Sequence, residues 1–435
     1  MSYKAVILRA HPKKLEGSDK LFVVDLNGYT IVTGSVLMPG ELVAYFSSDG
    51  GALSHEFCYE NSEYREGKGQ NKDPAKSGFF DSNRRIKAIK LRGTISEGYI
   101  APLSCLAYTG VDMRTLVDGY EFDELNGHPI CEKYYSPQTL REISKQNTAG
   151  TPKFRFVCPD FPTHFDTAQL RNVVGKIPLG AVLYWTLKHH GTSGRTTKTI
   201  LSVPLKKRWQ NWWNTICNYF KFLSKYKIEK LEPVLVSGTR NTVLNPFSPY
   251  GYSDKYRKTA EDLFHNIEVG ETAYYEICGY TDSGGAIQKH SIDKKEFKNL
   301  HARYGSCMIY SYGAVASTSK VFVYRITKKI GKETYELSSD QVDIRCCELG
   351  VEPVLELHAP TVHTSVEETL ALAASLSSGT DPLDTNHIRE GVCCRAEHPD
   401  LPRGFTIMKL KGQEFCLLEG IARNNESFVD IEEIS

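Results

Sequence analysis

Apolar residues in the first hundred or so positions come in short runs separated by turn-forming residues. The runs at 20–26 (KLFVVDL), 29–37 (YTIVTGSVL), 41–48 (ELVAYFSS) and 84–93 (RRIKAIKLRG) are bounded by Gly, Pro, Asn and Asp. This pattern predicts strands. Several short strands in so little chain predict a small barrel or sandwich. Residues 61–83 are polar and glycine-containing and read as a long surface loop. The polar stretch 144–153 (SKQNTAGTPK) reads as a linker. It divides the chain into a unit at 1–150 and a second from about 160 to 435.

Past the linker the period changes. At 207–226, Trp209, Trp212, Trp213, Ile216, Tyr219, Phe220 and Leu223 recur at i, i+3, i+4, i+7 spacing, which predicts an amphipathic helix. Its aromatic stripe reads either as core packing or as a base-stacking surface. A second helix is expected over 253–266. A third starts at Thr364 or Ser365, each with a Glu three residues on, and stops before Gly379. Strands are expected at AYYEICGY (273–280), KVFVYRI (320–326), REGVCCRAE (389–397) and FTIMKLKG (405–412). The class is α+β, with no internal repeat.

Composition narrows the functions open to this chain. Its 435 residues suffice for two domains. A net charge of +1 gives no global basic signature, so any nucleic-acid surface is a local patch. The densest patch in the N-terminal half is Arg84, Arg85, Lys87, Lys90 and Arg92. It reads equally as a phosphate-tracking face and as an edge strand guarded by charge. No apolar run approaches the ~20 residues of a membrane span, and the first residues lack the apolar core of a signal peptide. The 12 cysteines show no zinc-ligand spacing. Reduced thiols in an intracellular, cytoplasmic protein are expected.

The candidate chemistry starts at LKHHGTSGRT (187–196). An apolar run leads into Lys188, and a Gly-Thr-Ser-Gly turn follows it. One amine then stands at a strand end beside backbone N–H groups and hydroxyls, a setting that receives phosphate. A surface lysine beside a turn fits the stretch as well. Downstream, Arg240 follows the apolar run PVLVSG, Glu276 lies inside one strand and Glu390 at the start of another. Lys409 and Lys411 are two apart, so both leave one face of a strand.

In this order the stretches resemble the covalent nucleotidyltransferase superfamily of polynucleotide ligases and RNA capping enzymes. Lys188-His189-His190-Gly191-Thr192 matches the nucleophile motif, Lys-x-(Asp/His)-Gly. Arg240, Glu276, Tyr324, Glu390-Gly391 and Lys409-Leu410-Lys411 match the motifs that follow it. The resemblance covers about 160–435. It is nearest to ATP-dependent RNA ligases with an N-terminal OB-type domain, which LEGSDKLFVVDLNGYTIV and the segments after it resemble. Only 24 residues follow Lys411, too few for the C-terminal OB domain of DNA ligases and capping enzymes. Three positions depart from the pattern: Leu187 where a Glu is common, Arg325 where an Asp is common, and EGVCC in place of EGVV.

The resemblance implies an N-terminal OB-type β-barrel, then an adenylyltransferase domain that is ATP-grasp-like, with antiparallel sheets and flanking helices. It implies that Lys188 attacks the α-phosphate of ATP, that AMP passes to an RNA 5′-phosphate, and that a 3′-hydroxyl then displaces AMP. Lys409 and Lys411 would neutralise phosphate, and Glu390 would place Mg²⁺ or Mn²⁺. His190, Gly191, Arg240, Glu276 and Tyr324, with Phe322 as the alternative aromatic, would hold the nucleotide. The expected partner is RNA with 5′-phosphate and 3′-hydroxyl ends, as a nicked duplex in RNA repair; no membrane and no protein partner is implied. The N-terminal unit is expected to serve the RNA and leave adenylylation to the second. A DNA ligase, a guanylyltransferase or an inactive OB-type nucleic-acid-binding protein are the alternatives.

Overall fold

The computed structural model describes residues 3–26, 28–66, 69–148, 156–164, 167–204, 229–240, 242–247 and 255–422. The aromatic helix expected at 207–226, the start of the one expected from 253 and the end of the linker lie outside them.

In the N-terminal unit, strands Glu121–Phe122, Ala5–Ala10, Glu41–Ser47 and Gly98–Pro102 form an antiparallel sheet in that order. Pro12–Lys14, Phe22–Leu26 and Tyr29–Thr33 form a second. Strand Ala5–Ala10 is apolar over Ala5–Leu8 because both faces are buried there, and Arg9 is exposed. Val6 and Leu8 pack with Val24, Leu26 and Ile31 of the second sheet. Ala5 and Ile7 face Phe57, Tyr64, Phe80 and Leu106. The described strands form separate sheets rather than the expected closed barrel ladder.

One local expectation changes and another is refined. Residues 84–93 do not form one strand. Arg84 and Arg92 take left-handed backbone, with φ of 53° and 47°; Arg85 makes an isolated bridge to Ala52, and Ile89–Leu91 pairs separately with Thr94–Ser96. The described residues of 61–83 form the expected irregular, mostly exposed segment, but it is anchored inward. Tyr64 and Phe80 are buried in the core, behind a short helix, His55–Glu60, whose N-cap is Ser54.

The second unit is built on two large sheets, with a small third one formed by Lys289–Ser291 and Cys307–Ile309. One large sheet runs Ala168–Gln169, Phe405–Lys411, Gly391–Glu397, Val182–Lys188, Glu356–Val362. The other runs Glu229–Gly238, Thr192–Pro204, Glu271–Gly279, Ser319–Ile330, Glu333–Glu336, with Glu352–Pro353 paired alongside. Helix Val366–Ser377 packs on the first sheet, capped by Ser365 as expected. Helices Lys255–Asp262 and Ser339–Leu349 back the second. A third core joins the two sheets through Leu187, Cys278, Tyr310, Tyr312, Phe322 and Phe415. Among the described residues, no helix is long and apolar enough to cross a membrane.

Candidate active site

The chain passes from one sheet to the other within three residues, His189 to Gly191, immediately after Lys188. Gly191 permits this crossing. A Cβ there would stand 2.4 Å from the Ile277 carbonyl and 2.9 Å from the Glu276 side chain, closer than side chains pack. Lys188 therefore ends its strand at the seam between the sheets.

Register assembles the rest. Lys188 lies opposite Gly391, which lies opposite Lys411, and Thr186, Cys393 and Lys409 form the next row but one. Side chains in these rows leave the same face. Gly391 is needed where the strands approach, since a Cβ there would meet the Leu410 carbonyl at 2.1 Å. On the facing sheet, Ser193 lies opposite Glu276, and Glu276 opposite Phe322.

Lys188 is no ordinary surface lysine. Its Nζ donates to Glu390 Oε1 at 2.6 Å, with side chains 19% and 4% exposed. His190 Nδ1 stands 3.8 Å from the other oxygen of Glu390. The His190 ring meets His290, Tyr310 and Phe415 at 4.7–5.4 Å between centroids. Burial, and then His290, hold its pKa well below the usual histidine value, so the ring is neutral. The backbone N–H of His190 donates to the Tyr312 hydroxyl, and Gln288 donates to the Gly191 carbonyl at 3.0 Å. These contacts fix the turn that carries the lysine.

Glu276 accepts from the Ser193 hydroxyl at 3.3 Å. The two candidate aromatics differ. Phe322 is buried and stacked on His189, with ring centroids 4.1 Å apart, whereas Tyr324 is half-buried two residues on. Arg325 is committed to structure: it grips Glu336 with two 2.7 Å bonds and lies over the Tyr274 ring. Leu187 is buried in the core between the sheets. Arg240 is half-buried at the end of its strand, and its charge reaches Lys409. Burial lowers the Lys409 pKa. Asp49 opposes that, while Lys411, Lys188 and Arg240 add to it. Burial also pushes the Cys393 thiol up to about 11, so it is a neutral neighbour of Lys188 and Lys409.

Several residues on this face carry no sequence signal. Lys411 is held by Glu419 at 2.8 and 3.1 Å and by Asp49 at 2.9 Å. Glu419 belongs to helix Gln413–Ala422, and Asp49 comes from the N-terminal unit. Motif reading missed both because neither sits at a fixed offset with a partner. The pairing of Glu419 was open to a helix argument, since Phe415 and Glu419 are four apart and share a face.

The N-terminal cations do not act as one surface. Arg85 is 3% exposed and donates to the carbonyls of Gly420 at 2.7 Å and Glu419 at 3.3 Å. It points inward and cannot track phosphate. Arg84 pairs with Glu132 at 3.2 Å and Lys87 with Asp81 at 3.5 Å. Arg92 donates to the Gly17 carbonyl. Lys90 and Arg92 are exposed.

No family model matches the chain, and no curated protein matches its sequence. Solved structures do match. An apo mutant of Naegleria gruberi RNA ligase superposes with a TM-score of 0.57 at 14% identity, covering 96% of this chain and 98% of that one. A mutant of the same ligase with ATP and Mn gives 0.55 at 14% identity, over 95% and 98% of the two chains. The ligase with PPi gives 0.56 at 14% identity, over 94% and 97%. The likeness spans both units and is one of fold.

Proposed function

We propose that this chain is an ATP-dependent RNA ligase that joins 5′-phosphate and 3′-hydroxyl RNA ends through a lysyl-AMP on Lys188. The observation that carries the reading is the pairing of Lys188 with Glu390 at 2.6 Å, in a row that ends at Lys411. A buried lysine–carboxylate pair across strands is costly to desolvate. An enzyme that must deprotonate the lysine and neutralise phosphate beside it has a use for these groups. The fold likeness to a ligase solved with ATP, with AMP and with PPi supports the same reading.

In the first step Lys188 Nζ bonds to the α-phosphorus of ATP. The bond from that phosphorus to the bridging oxygen breaks, and pyrophosphate leaves with the electron pair. Glu390 Oε1 stands beside Nζ and orients the amine, which attacks in its neutral form and releases a proton to solvent as the bond forms. Lys409 and Lys411 neutralise charge on the α-phosphate as it moves to the leaving group. Glu276 accepts from a ribose hydroxyl, and Tyr324 offers the adenine face. Among the described residues, no three His, Cys, Asp or Glu side chains gather as a metal cage. Magnesium keeps most of its waters and needs only one or two carboxylates, so Glu390 suits it. When bound it would supply further positive charge at the α-phosphate. In the second step the RNA 5′-phosphate takes AMP from Lys188, and in the third the 3′-hydroxyl displaces AMP.

The N-terminal unit is read as an OB-type nucleic-acid module, with Arg84, Lys87, Lys90 and Arg92 as its candidate phosphate contacts and Arg85 reassigned to the interior. Sealing assays on nicked duplexes test the whole reading. Joining of an RNA 3′-hydroxyl strand with ATP is expected, with little for a DNA 3′-hydroxyl strand or for GTP. Sealing of DNA alone, or labelling by GTP alone, would point to a DNA ligase or a guanylyltransferase instead.

A further inference from the structure

Asp49 sits in the turn Ser48–Gly50, between strands Glu41–Ser47 and Gly51–Leu53 of the N-terminal unit. Ser48 N–H donates to the Glu97 carbonyl, and Gly50, with φ of 75°, lets the turn double back. The carboxylate enters the second unit. Oδ1 lies 2.9 Å from Lys411 Nζ, and Oδ2 lies 3.8 Å from Lys409 Nζ and accepts from Gln169. Burial alone would raise its pKa. Lys411 and then Lys409 overcome that and hold it below the usual carboxylate range, so Asp49 is an anion. Glu419, on helix Gln413–Ala422, also accepts from Lys411 Nζ at 2.8 Å. Beneath it, Phe415 lies under the ammonium, 5.6 Å from ring centroid to Nζ.

A lysine ammonium is a point charge on a four-carbon stem with three donors and no geometric preference of its own. Fixing two of the three N–H directions fixes the third. Two carboxylates do this for Lys411. One comes from its own unit and one from the other. We infer that Asp49 and Glu419 are positioning residues that aim Lys411 at the reacting phosphate. The inference rests on the ligase reading of the same site. It goes further in making an N-terminal carboxylate part of the adenylylation machinery, where the sequence had suggested a role in holding RNA alone.

The test is the single-turnover rate of lysyl-AMP formation against ATP concentration, for full-length wild type, Asp49→Asn, Glu419→Gln and the double variant. A rate constant does not depend on the fraction of enzyme that is active, so partial misfolding lowers the amplitude and leaves the rate. Misplacing a transition-state contact costs on the order of tenfold to a hundredfold. Each single variant is expected to lose that much in the limiting rate, with half-saturation by ATP unchanged or lower because the Lys411 side chain is still present and one competing carboxylate is gone. Asp49→Glu is expected to recover part of the rate. If both single variants keep the wild-type limiting rate, the inference is overturned. A faster or unchanged rate with tighter ATP in Asp49→Asn would overturn it too, since Asp49 would then merely compete with phosphate. If wild type itself forms no lysyl-AMP, the ligase reading fails first, and the two failures are told apart.

Discussion

At the scale of single residues, what decides chemistry here is which carboxylate faces which lysine. The cations depress one another: Lys411, Lys188 and Arg240 all push Lys409 down after burial has done so. Repulsion is mutual, so Lys409 pushes against the charge on Lys188 while the Glu390 carboxylate favours it. Lys411→Ala should therefore lose both phosphate neutralisation and part of the repulsion among the cations. Adenylylation is expected to fall by roughly 10²-fold, the scale of one lost electrostatic contact, and to recover partly as pH rises. Glu390→Ala should not recover with pH. The pH–rate profiles of the two variants check this. A different carboxylate tests stability. Asp381 is buried and pushed up to about 6, first by burial. Its folded pKa is above its unfolded one, so the folded chain holds the proton longer and stability falls as pH rises from about 4 to about 6. Above that the penalty is complete. Asp381→Asn keeps an acceptor for the Leu383 N–H and should stabilise the fold by ~2 kcal/mol at pH 8 and by little at pH 4, measured by urea unfolding.

At the scale of elements, the sequence was most legible where one pattern had one cause. The strands around Glu276, Glu390 and Lys409 appear at the expected positions, because apolar runs bounded by turns bury on two faces. Ser365 caps its helix, since a side-chain oxygen answers the Glu368 N–H. The run at 84–93 misled because its charges and β-branched residues suit a strand, while left-handed backbone at Arg84 and Arg92 interrupts it. Backbone sign is not written in composition. Nor was the destination of Arg85, which satisfies carbonyls at the end of helix Gln413–Ala422 and lies 5.0 Å from the Tyr134 ring centroid. Terminal carbonyls buried without partners are costly. Arg85→Ala should destabilise by about 2–3 kcal/mol and should loosen Glu419. Arg85→Lys, without the fork, should restore little. Urea midpoints for the two variants measure this.

At the scale of the whole molecule, the two units are joined by buried charge rather than by a tether alone. Arg171 and Glu97 pair at 2.9 Å, both almost wholly buried, with Arg171 also over the Tyr29 ring. Removing one member leaves an uncompensated buried ion, so Glu97→Ala should cost about 3–5 kcal/mol. Loss of cooperativity between tryptophan fluorescence and circular dichroism during urea unfolding would show that the units have come apart. This interface was invisible in the sequence because its members, Asp49, Arg85, Glu97 and Arg171, lie far along the chain from their partners, the widest span being that from Asp49 to Lys411. Deleting residues 1–150 would strip Lys411 of Asp49, Arg171 of Glu97 and the Gln413–Ala422 helix of Arg85. Such a truncation should impair lysyl-AMP formation as well as sealing, contrary to the division of labour that motif order suggested.

Everything above turns on Lys188 as the nucleophile. The direct measurement is intact-protein mass spectrometry of the full chain after exposure to ATP and magnesium, followed by peptide mapping. A mass gain of one AMP, located on Lys188 and absent in Lys188→Ala, is the predicted result. An unmodified wild-type chain, or AMP on another lysine, would contradict the account.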